Sequence, residues 1–126
     1  MTDLEALFNY RLNQAEESLQ DAVGLLKGKL STRAVVNRAY YAAFYATIAL
    51  LLKEKIHIKT SKHIGIIALL DKELVHKKKL DKKYSTIIHD LFEARQDGDY
   101  KEFIEITVEE AKEYIRSAKE FLDTIK

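Results

Sequence analysis

A chain of 126 residues is long enough to bury a hydrophobic core as a single domain without metals or disulfides. It has no cysteine, which excludes a disulfide framework and thiolate metal sites. Its net charge of +1, from 21 Lys and Arg against 20 Asp and Glu, gives none of the overall positive field that nucleic-acid-binding proteins use.

The lysines are nevertheless concentrated in the middle of the chain. Between Lys53 and Lys83 there are ten lysines and three histidines but only four acidic residues. Such a segment can attract phosphate groups. It is also typical of a solvated surface, and the sequence leaves both interpretations open.

Neither the start of the chain nor its apolar runs indicate a membrane segment. The longest apolar run, Ala39 to Leu52, is interrupted by tyrosines and Thr47 and is too short to cross a bilayer. The N-terminal segment is amphipathic and acidic, unlike a signal peptide. We therefore expect a soluble, cytoplasmic protein with no membrane partner.

The composition favours helices throughout, because proline is absent and there are only four glycines. Apolar residues at helical spacing predict a first helix from Asp3 to Leu26, which Gly28 ends. Ser31 or Thr32 then caps a second helix that lasts to Lys55. This second helix is apolar on nearly every side, as expected of a helix surrounded by others.

The second half of the chain continues the helical pattern. A third helix is predicted from Ser61 to Val75, and a fourth from Asp81 to Gln96, with Gly98 as its terminator. Thr107 and Glu110 form the capping-box pattern of a last helix. The sequence therefore predicts an all-α fold, an up-and-down antiparallel helical bundle of about five helices, as one domain over residues 1–126.

Arg95 breaks the apolar pattern of the fourth helix, whose earlier inward positions are Tyr84, Ile88 and Leu91. An unpaired buried charge is costly, so Arg95 must reach solvent or be held by partners. One interpretation is an ion pair with Asp99 or Asp97 that closes the helix end. The other is a guanidinium kept at a cleft to bind phosphate, which its planar fork suits.

Arg38 poses the same alternative in the second helix, where Tyr41 and Tyr45 share its face. It is either a core arginine stacked on tyrosine rings or part of a site. Tyr40 and Phe44, on the neighbouring face, are predicted to be plain core. Five alanines permit close helix approach, either in the monomer's core or at a dimer seam: Ala39, Ala42, Ala43, Ala46 and Ala49.

The four histidines do not have metal-ligand spacing, since no two of them lie four residues apart on a helix. We therefore predict no metal site and no cofactor. His63 opens the third helix on the side of Ile66 and Ile67, which favours a capping or packing role, with a phosphate contact as the alternative. The chain also lacks a glycine-rich phosphate loop and a nucleophile elbow.

Four segments of the chain resemble the HEPN domain family: "AEESLQDA", "STRAVVNRAYYAAFYATIALLL", "TSKHIG" and "EARQDGDY". The resemblance extends from about Asn9 to Ile125, and the joint order of "RAYYAAFYA" and "ARQDGDY" is its most specific part. It implies an up-and-down helical bundle that commonly forms homodimers. Many members are ribonucleases of toxin–antitoxin, abortive-infection or CRISPR systems, and many small prokaryotic members are paired with a minimal nucleotidyltransferase.

The resemblance also implies candidate site residues. In the ribonuclease members, an arginine near the end of a late helix is followed by a histidine, and two such motifs meet across the dimer in a metal-independent site. Arg95 matches that arginine, whereas Tyr100 stands at the first position where the histidine is expected. A phenol with an ordinary pKa near 10 is a poor proton shuttle at neutral pH. His89 lies earlier on the same helix and reaches such a cleft only from the side.

Three functions remain open. The first is a HEPN module that binds a nucleotide or RNA phosphate at a dimer cleft and acts with a nucleotidyltransferase in a toxin–antitoxin-like system. The second is a metal-independent endoribonuclease toxin, and the third is a non-catalytic helical interaction domain. The candidate catalytic residues are Arg95 and Tyr100; the candidate ligand-binding residues are Arg38, Tyr41, His63 and Asp99.

Overall fold

The computed structural model describes residues 1–101 and 104–126 and shows a helical bundle. Its helices are α1 Asp3–Lys27, α2 Thr32–Lys53, α3 His63–Leu70, α4 Lys82–Tyr100 and α5 Val108–Ile125. The end of α3 continues into a short π-helix, Asp71–Val75. Since no strand occurs in these two described ranges, the all-α prediction is confirmed.

The ends of the helices follow the capping residues that the sequence indicates. The Ser31 hydroxyl accepts a hydrogen bond from a backbone N–H in the first turn of α2. Thr107 and Glu110 form a complete capping box at the start of α5. Gly28 ends α1 as predicted, although the left-handed backbone conformation falls on the next residue, Lys29, with φ of 56°.

The fourth helix is longer than the sequence predicts. The predicted end at Gln96, with Gly98 as terminator, is wrong, because α4 passes through Gly98 and ends at Tyr100. Gly98 is buried, and a Cβ atom at this position would lie 3.3 Å from Cδ1 of Ile106. The absence of a side chain therefore permits the segment before α5 to pack closely against α4.

α2 is the central helix and contacts each of the other four. The five alanines at positions 39, 42, 43, 46 and 49 are all 0% exposed within a single chain. They therefore serve the monomer's core, and the alternative of an alanine dimer seam is wrong.

By length and composition, α2 is apolar enough to cross a membrane, and it is the one helix of the described ranges that meets this criterion. In the bundle, however, 72% of its most apolar window is buried. A core helix of a folded domain has the same composition, so this feature is explained by the position of α2 between the other helices.

The apolar stripes of α4 and α5 pack against this centre. In α4, Ile88 and Leu91 are 0% exposed, and Arg95 follows them on the same face. In α5, the buried side is formed by Ala111, Ala118, Phe121, Leu122 and Ile125, whereas Val108, the first residue of the helix, is 51% exposed. The bundle thus places the end of α4, with Arg95, beside the middle of α2.

Candidate functional site

Four aromatic rings meet where the start of α3 lies against α2. They belong to Tyr40, Tyr41, Phe44 and His63, and together they form the ring cluster. The imidazole of His63 stacks on Phe44 with 4.0 Å between ring centres and lies 5.6 Å from the centres of both tyrosine rings. Three of the rings lie on one side of α2 because their positions are one helical turn or one residue apart.

Arg95 covers this ring cluster from α4. Its guanidinium carbon lies 5.5 Å from the centres of the Tyr40 and Tyr41 rings, which is a cation–π distance. Its Nε also donates a hydrogen bond to Asp99 Oδ2 at 3.1 Å, and the side chain is only 17% exposed. The ion pair with Asp99 is therefore confirmed, and the guanidinium also lies against the rings. Phosphate binding by Arg95 stays a prediction.

Arg38 contacts the ring cluster from α2 itself. Its guanidinium carbon lies 5.2 Å from the centre of the Tyr41 ring. One Nη nitrogen donates a hydrogen bond to Ser18 Oγ in α1 at 2.8 Å. Nε is buried and has no hydrogen-bond partner in the described part of the chain. Arg38 is thus held in place by a neutral hydroxyl and a ring.

The ring of Tyr41 consequently contacts two guanidinium groups. Asp99 is the carboxylate that pairs with Arg95, and within residues 1–101 and 104–126 no carboxylate forms an ion pair with Arg38. Asp97, the other candidate partner of Arg95, pairs with Lys101 at 3.1 Å. Two arginines offset by one acid form a site with excess positive charge, which suits an anion.

Tyr40 and His63 are joined by a hydrogen bond of 2.7 Å between the hydroxyl and Nδ1. Burial raises the pKa of Tyr40 far above its ordinary value, so the phenol is protonated. Burial and the nearby Arg95 lower the pKa of His63, which is therefore neutral at pH 7. Lys62 occupies the N-cap position of α3, so His63 has the packing role rather than the capping role.

Tyr100 and His89 lie away from the ring cluster. Tyr100 is 74% exposed, and five residues of α-helix place it roughly 140° around α4 from Arg95. His89 Nε2 lies 2.7 Å from Asp71 Oδ2, at the π-helix that follows α3. The structure therefore brings together Arg38, Tyr41, His63, Arg95 and Asp99, but it does not bring Tyr100 to them.

Two residues of the site were not identified from the sequence. Tyr40 was assigned to plain core, yet its hydroxyl binds His63, and Ser18 was not singled out although it holds Arg38. A signal for Tyr40 existed, because a buried tyrosine hydroxyl usually has a hydrogen-bond partner. Ser18 gave no comparable signal, since its partner lies on another helix.

The lysine-rich segment lies at the surface of the bundle. All ten lysines between Lys53 and Lys83 are exposed. Lys77 forms an ion pair with Glu73, and Lys83 forms one with Glu120.

In the described ranges there is no group of three metal-binding side chains. An apolar groove of about 640 Å³ lies elsewhere, and no residue of the ring cluster lines it.

Comparison with known proteins gives consistent matches. The model of the HEPN domain family matches residues 8–126. A protein of Thermotoga maritima named "UPF0332 protein" is 39% identical over 126 residues, covering 100% of this chain and 93% of that protein. Two proteins of Methanocaldococcus jannaschii, named "Putative toxin MJ0142" and "Putative toxin MJ0605", are 34% and 38% identical. They cover 91% and 89% of this chain, and 76% and 81% of those proteins respectively.

Proposed function

The chain belongs to the HEPN domain family, and from this premise we propose that it binds a phosphate group of a nucleotide or an RNA at the two arginines of the ring cluster. Two relatives whose names begin with "Putative toxin" support a toxin-like role within that family. The proposed ligand contacts are Arg95 and Arg38, with Tyr41 between them.

The observation that carries this proposal is the excess positive charge around Tyr41. Arg95 makes one hydrogen bond to the described residues, from Nε to Asp99. Its two Nη nitrogens make none with these residues. The N–H groups of these two nitrogens are available to bind a phosphate in the bidentate manner that guanidinium geometry favours. The rings beneath fix the guanidinium in place, which lowers the entropy cost of binding.

A homodimer is part of the proposal. Ile64, the neighbour of His63, is 68% exposed. A large apolar side chain of this exposure beside the ring cluster supports a surface that another protein covers. In the proposed homodimer, a second copy of the chain related by a two-fold axis covers this side chain and, as the resemblance implies, brings the two Arg95 residues to one cleft.

The wider context is also proposed. A toxin is normally controlled by a partner, and the names of the relatives support a two-component toxin–antitoxin-like system for this chain. A minimal nucleotidyltransferase is the partner that the resemblance favours, in the cytoplasm. Co-purification of the two proteins from cells that express both is the direct test, and separate elution of the two would contradict it.

Metal-independent RNA cleavage has less support as the activity. It requires a group that transfers protons near neutral pH, and the phenol of Tyr100 is exposed and lies away from Arg95. If the purified chain cleaves a mixed RNA substrate and Arg95→Ala does not, the ribonuclease function is established. The absence of cleavage together with binding of RNA is the result that we expect.

The test of phosphate binding uses adenosine monophosphate (AMP), with adenosine as the ligand that lacks phosphate. We expect AMP to raise the melting midpoint of the wild-type chain, because a ligand of the native state stabilises it, and adenosine to have little effect. Arg95→Ala should abolish the shift. Arg116→Ala, at a solvent-exposed arginine of α5, is the matched control and should retain it.

Two outcomes would contradict the proposal. If AMP and a short RNA bind equally well to Arg95→Ala and to the wild type, the phosphate site is elsewhere. If Arg95→Ala unfolds the chain and neither ligand stabilises the wild type, the arginine is structural, and the interaction-domain function is favoured instead.

A further inference from the structure

Tyr40 and His63 lie beside the arginines of the phosphate site. We propose that Tyr40 fixes His63 as the neutral tautomer with its proton on Nε2, and that this N–H donates a hydrogen bond to the anion that Arg95 binds. This inference rests on the proposed function, because it assigns a further binding residue to the same site. It makes His63 a neutral hydrogen-bond donor and not a proton-abstracting base.

The tautomer follows from the burial of the Tyr40 hydroxyl. Tyr40 is 0% exposed, and in the described ranges the partner of its hydroxyl is Nδ1 of His63 at 2.7 Å. If Nδ1 carried the proton, the Tyr40 oxygen would accept a hydrogen bond from Nδ1–H. The Tyr40 O–H would then be buried without an acceptor, which is costly. The hydroxyl therefore donates to Nδ1, and the proton of the neutral imidazole is on Nε2.

Nε2 of His63 is available to a ligand. His63 is half-buried, and its ring is held by stacking on Phe44 at 4.0 Å. Nε2 makes no hydrogen bond to the described residues. It does not belong to the buried polar atoms that lack a partner, so it is accessible to solvent. Arg95 and His63 both contact the rings of Tyr40 and Tyr41, and the charge of Arg95 acts on the imidazole. In the proposed complex, a phosphate bound to the Nη groups of Arg95 is within reach of Nε2.

Several charges and contacts around His63 favour the neutral form. The guanidinium of Arg95 faces it from α4, and the hydroxyl of Tyr40 on α2 needs an unprotonated Nδ1 as its acceptor. The neutral ring adds a hydrogen bond to the site without adding a third positive charge beside Arg38 and Arg95. Because Nε2 already carries the proton, this imidazole cannot remove a proton from a ribose hydroxyl through that nitrogen.

The tautomer can be measured in the full chain with ¹⁵N-labelled histidine. Protonated and unprotonated imidazole nitrogens have well-separated ¹⁵N resonances, so the experiment identifies the nitrogen that carries the proton. At pH 7.5 we expect His63 to have a protonated Nε2 and an unprotonated Nδ1. In Tyr40→Phe, which keeps the ring but removes the hydroxyl, we expect a mixture of the two tautomers.

Tyr45→Phe is the matched control, because Tyr45 lies on the same helix and its hydroxyl makes no hydrogen bond in the described part of the chain. This variant should keep the wild-type tautomer. A protonated Nδ1, or a charged imidazole, in the wild-type chain at pH 7.5 would overturn the inference before any ligand is added.

The donor role is tested by titration with AMP. We expect the Nε2 resonance of His63 to shift on binding, and Tyr40→Phe to bind AMP about 3- to 10-fold more weakly, as for the loss of one oriented hydrogen bond. Tyr45→Phe should bind normally. If AMP binds while Nε2 does not shift and Tyr40→Phe binds equally well, the inference is wrong and the proposed function stands. If AMP does not bind the wild-type chain, the proposed function fails, and the donor role of His63 fails with it.

Discussion

Replacing Phe44 by alanine tests whether the ring cluster is also part of the hydrophobic core. Phe44 is 5% exposed, and its ring centre lies 4.0 Å from that of His63 and 5.8 Å from that of Tyr40. The substitution removes a buried ring and leaves a cavity between α2 and α3. Buried phenylalanines truncated in this way cost about 3–5 kcal/mol of unfolding free energy.

The expected change in melting midpoint follows from the size of the chain. With about 2.1 cal/mol/K of unfolding entropy per residue, 126 residues give about 0.26 kcal/mol/K. A loss of about 3–5 kcal/mol therefore corresponds to a midpoint lowered by about 10–20 °C. Thermal unfolding followed by circular dichroism at 222 nm is a suitable assay.

Tyr100→Ala is the control for this measurement, because it also removes an aromatic ring, but from a residue that is 74% exposed. Exposed substitutions usually change stability by less than about 0.5 kcal/mol, so the midpoint should move by about 2 °C or less. If Phe44→Ala lowers the midpoint no more than Tyr100→Ala does, Phe44 is not packed as described, and the position assigned to His63 loses its support.

Three further predictions concern single residues. The pKa of His63 is lowered in the folded chain by burial and by Arg95, so its contribution to stability is complete above about pH 6.5 and is lost as pH falls below that value towards the folded-state pKa. The midpoint should therefore fall more between pH 7.5 and pH 5.5 in the wild type than in His63→Phe; equal changes would contradict the assignment. Thr107→Ala removes the capping box of α5 and should cost about 1 kcal/mol, or about 4 °C, whereas Glu105→Ala, just before the helix, should cost much less. Arg38→Met removes a guanidinium whose Nε is buried and has no partner among the described residues, so the midpoint should be maintained or raised while AMP binding weakens. A midpoint lowered by more than about 4 °C, or about 1 kcal/mol, would show that Arg38 stabilises the fold.

The fold could be predicted from the sequence because its determinants are local. The spacing of apolar residues, the caps at Ser31 and Thr107 and the lack of proline fix the helices without any tertiary information. The prediction that Gly98 ends α4 is wrong because the role of this residue depends on a tertiary contact. Its role is to admit the side chain of Ile106, eight positions later in the chain, and a local pattern does not distinguish this role from that of a helix terminator.

The two arginines of the site could be predicted because each disturbs a local pattern. Arg38 and Arg95 were recognised because a charge interrupts an apolar face, and both contact the Tyr41 ring. Tyr40 was assigned to the core because a tyrosine does not interrupt such a face. Its partner His63 is 23 residues away along the chain, and only the folded bundle brings the two side chains together.

The proposed phosphate site and the hydrophobic core share residues of the ring cluster. Tyr40 belongs to the core, and Tyr41, which both arginines contact, is half-buried against it, so the rings are held in place before a ligand arrives. Arg38, however, has a buried Nε that makes no hydrogen bond to residues 1–101 and 104–126. An anion that offsets this positive charge stabilises the native state, by about 2.7 kcal/mol at a ligand concentration of 100 times Kd. The free chain is therefore expected to gain stability from the same phosphate that it is proposed to bind, and this gain should depend on both arginines.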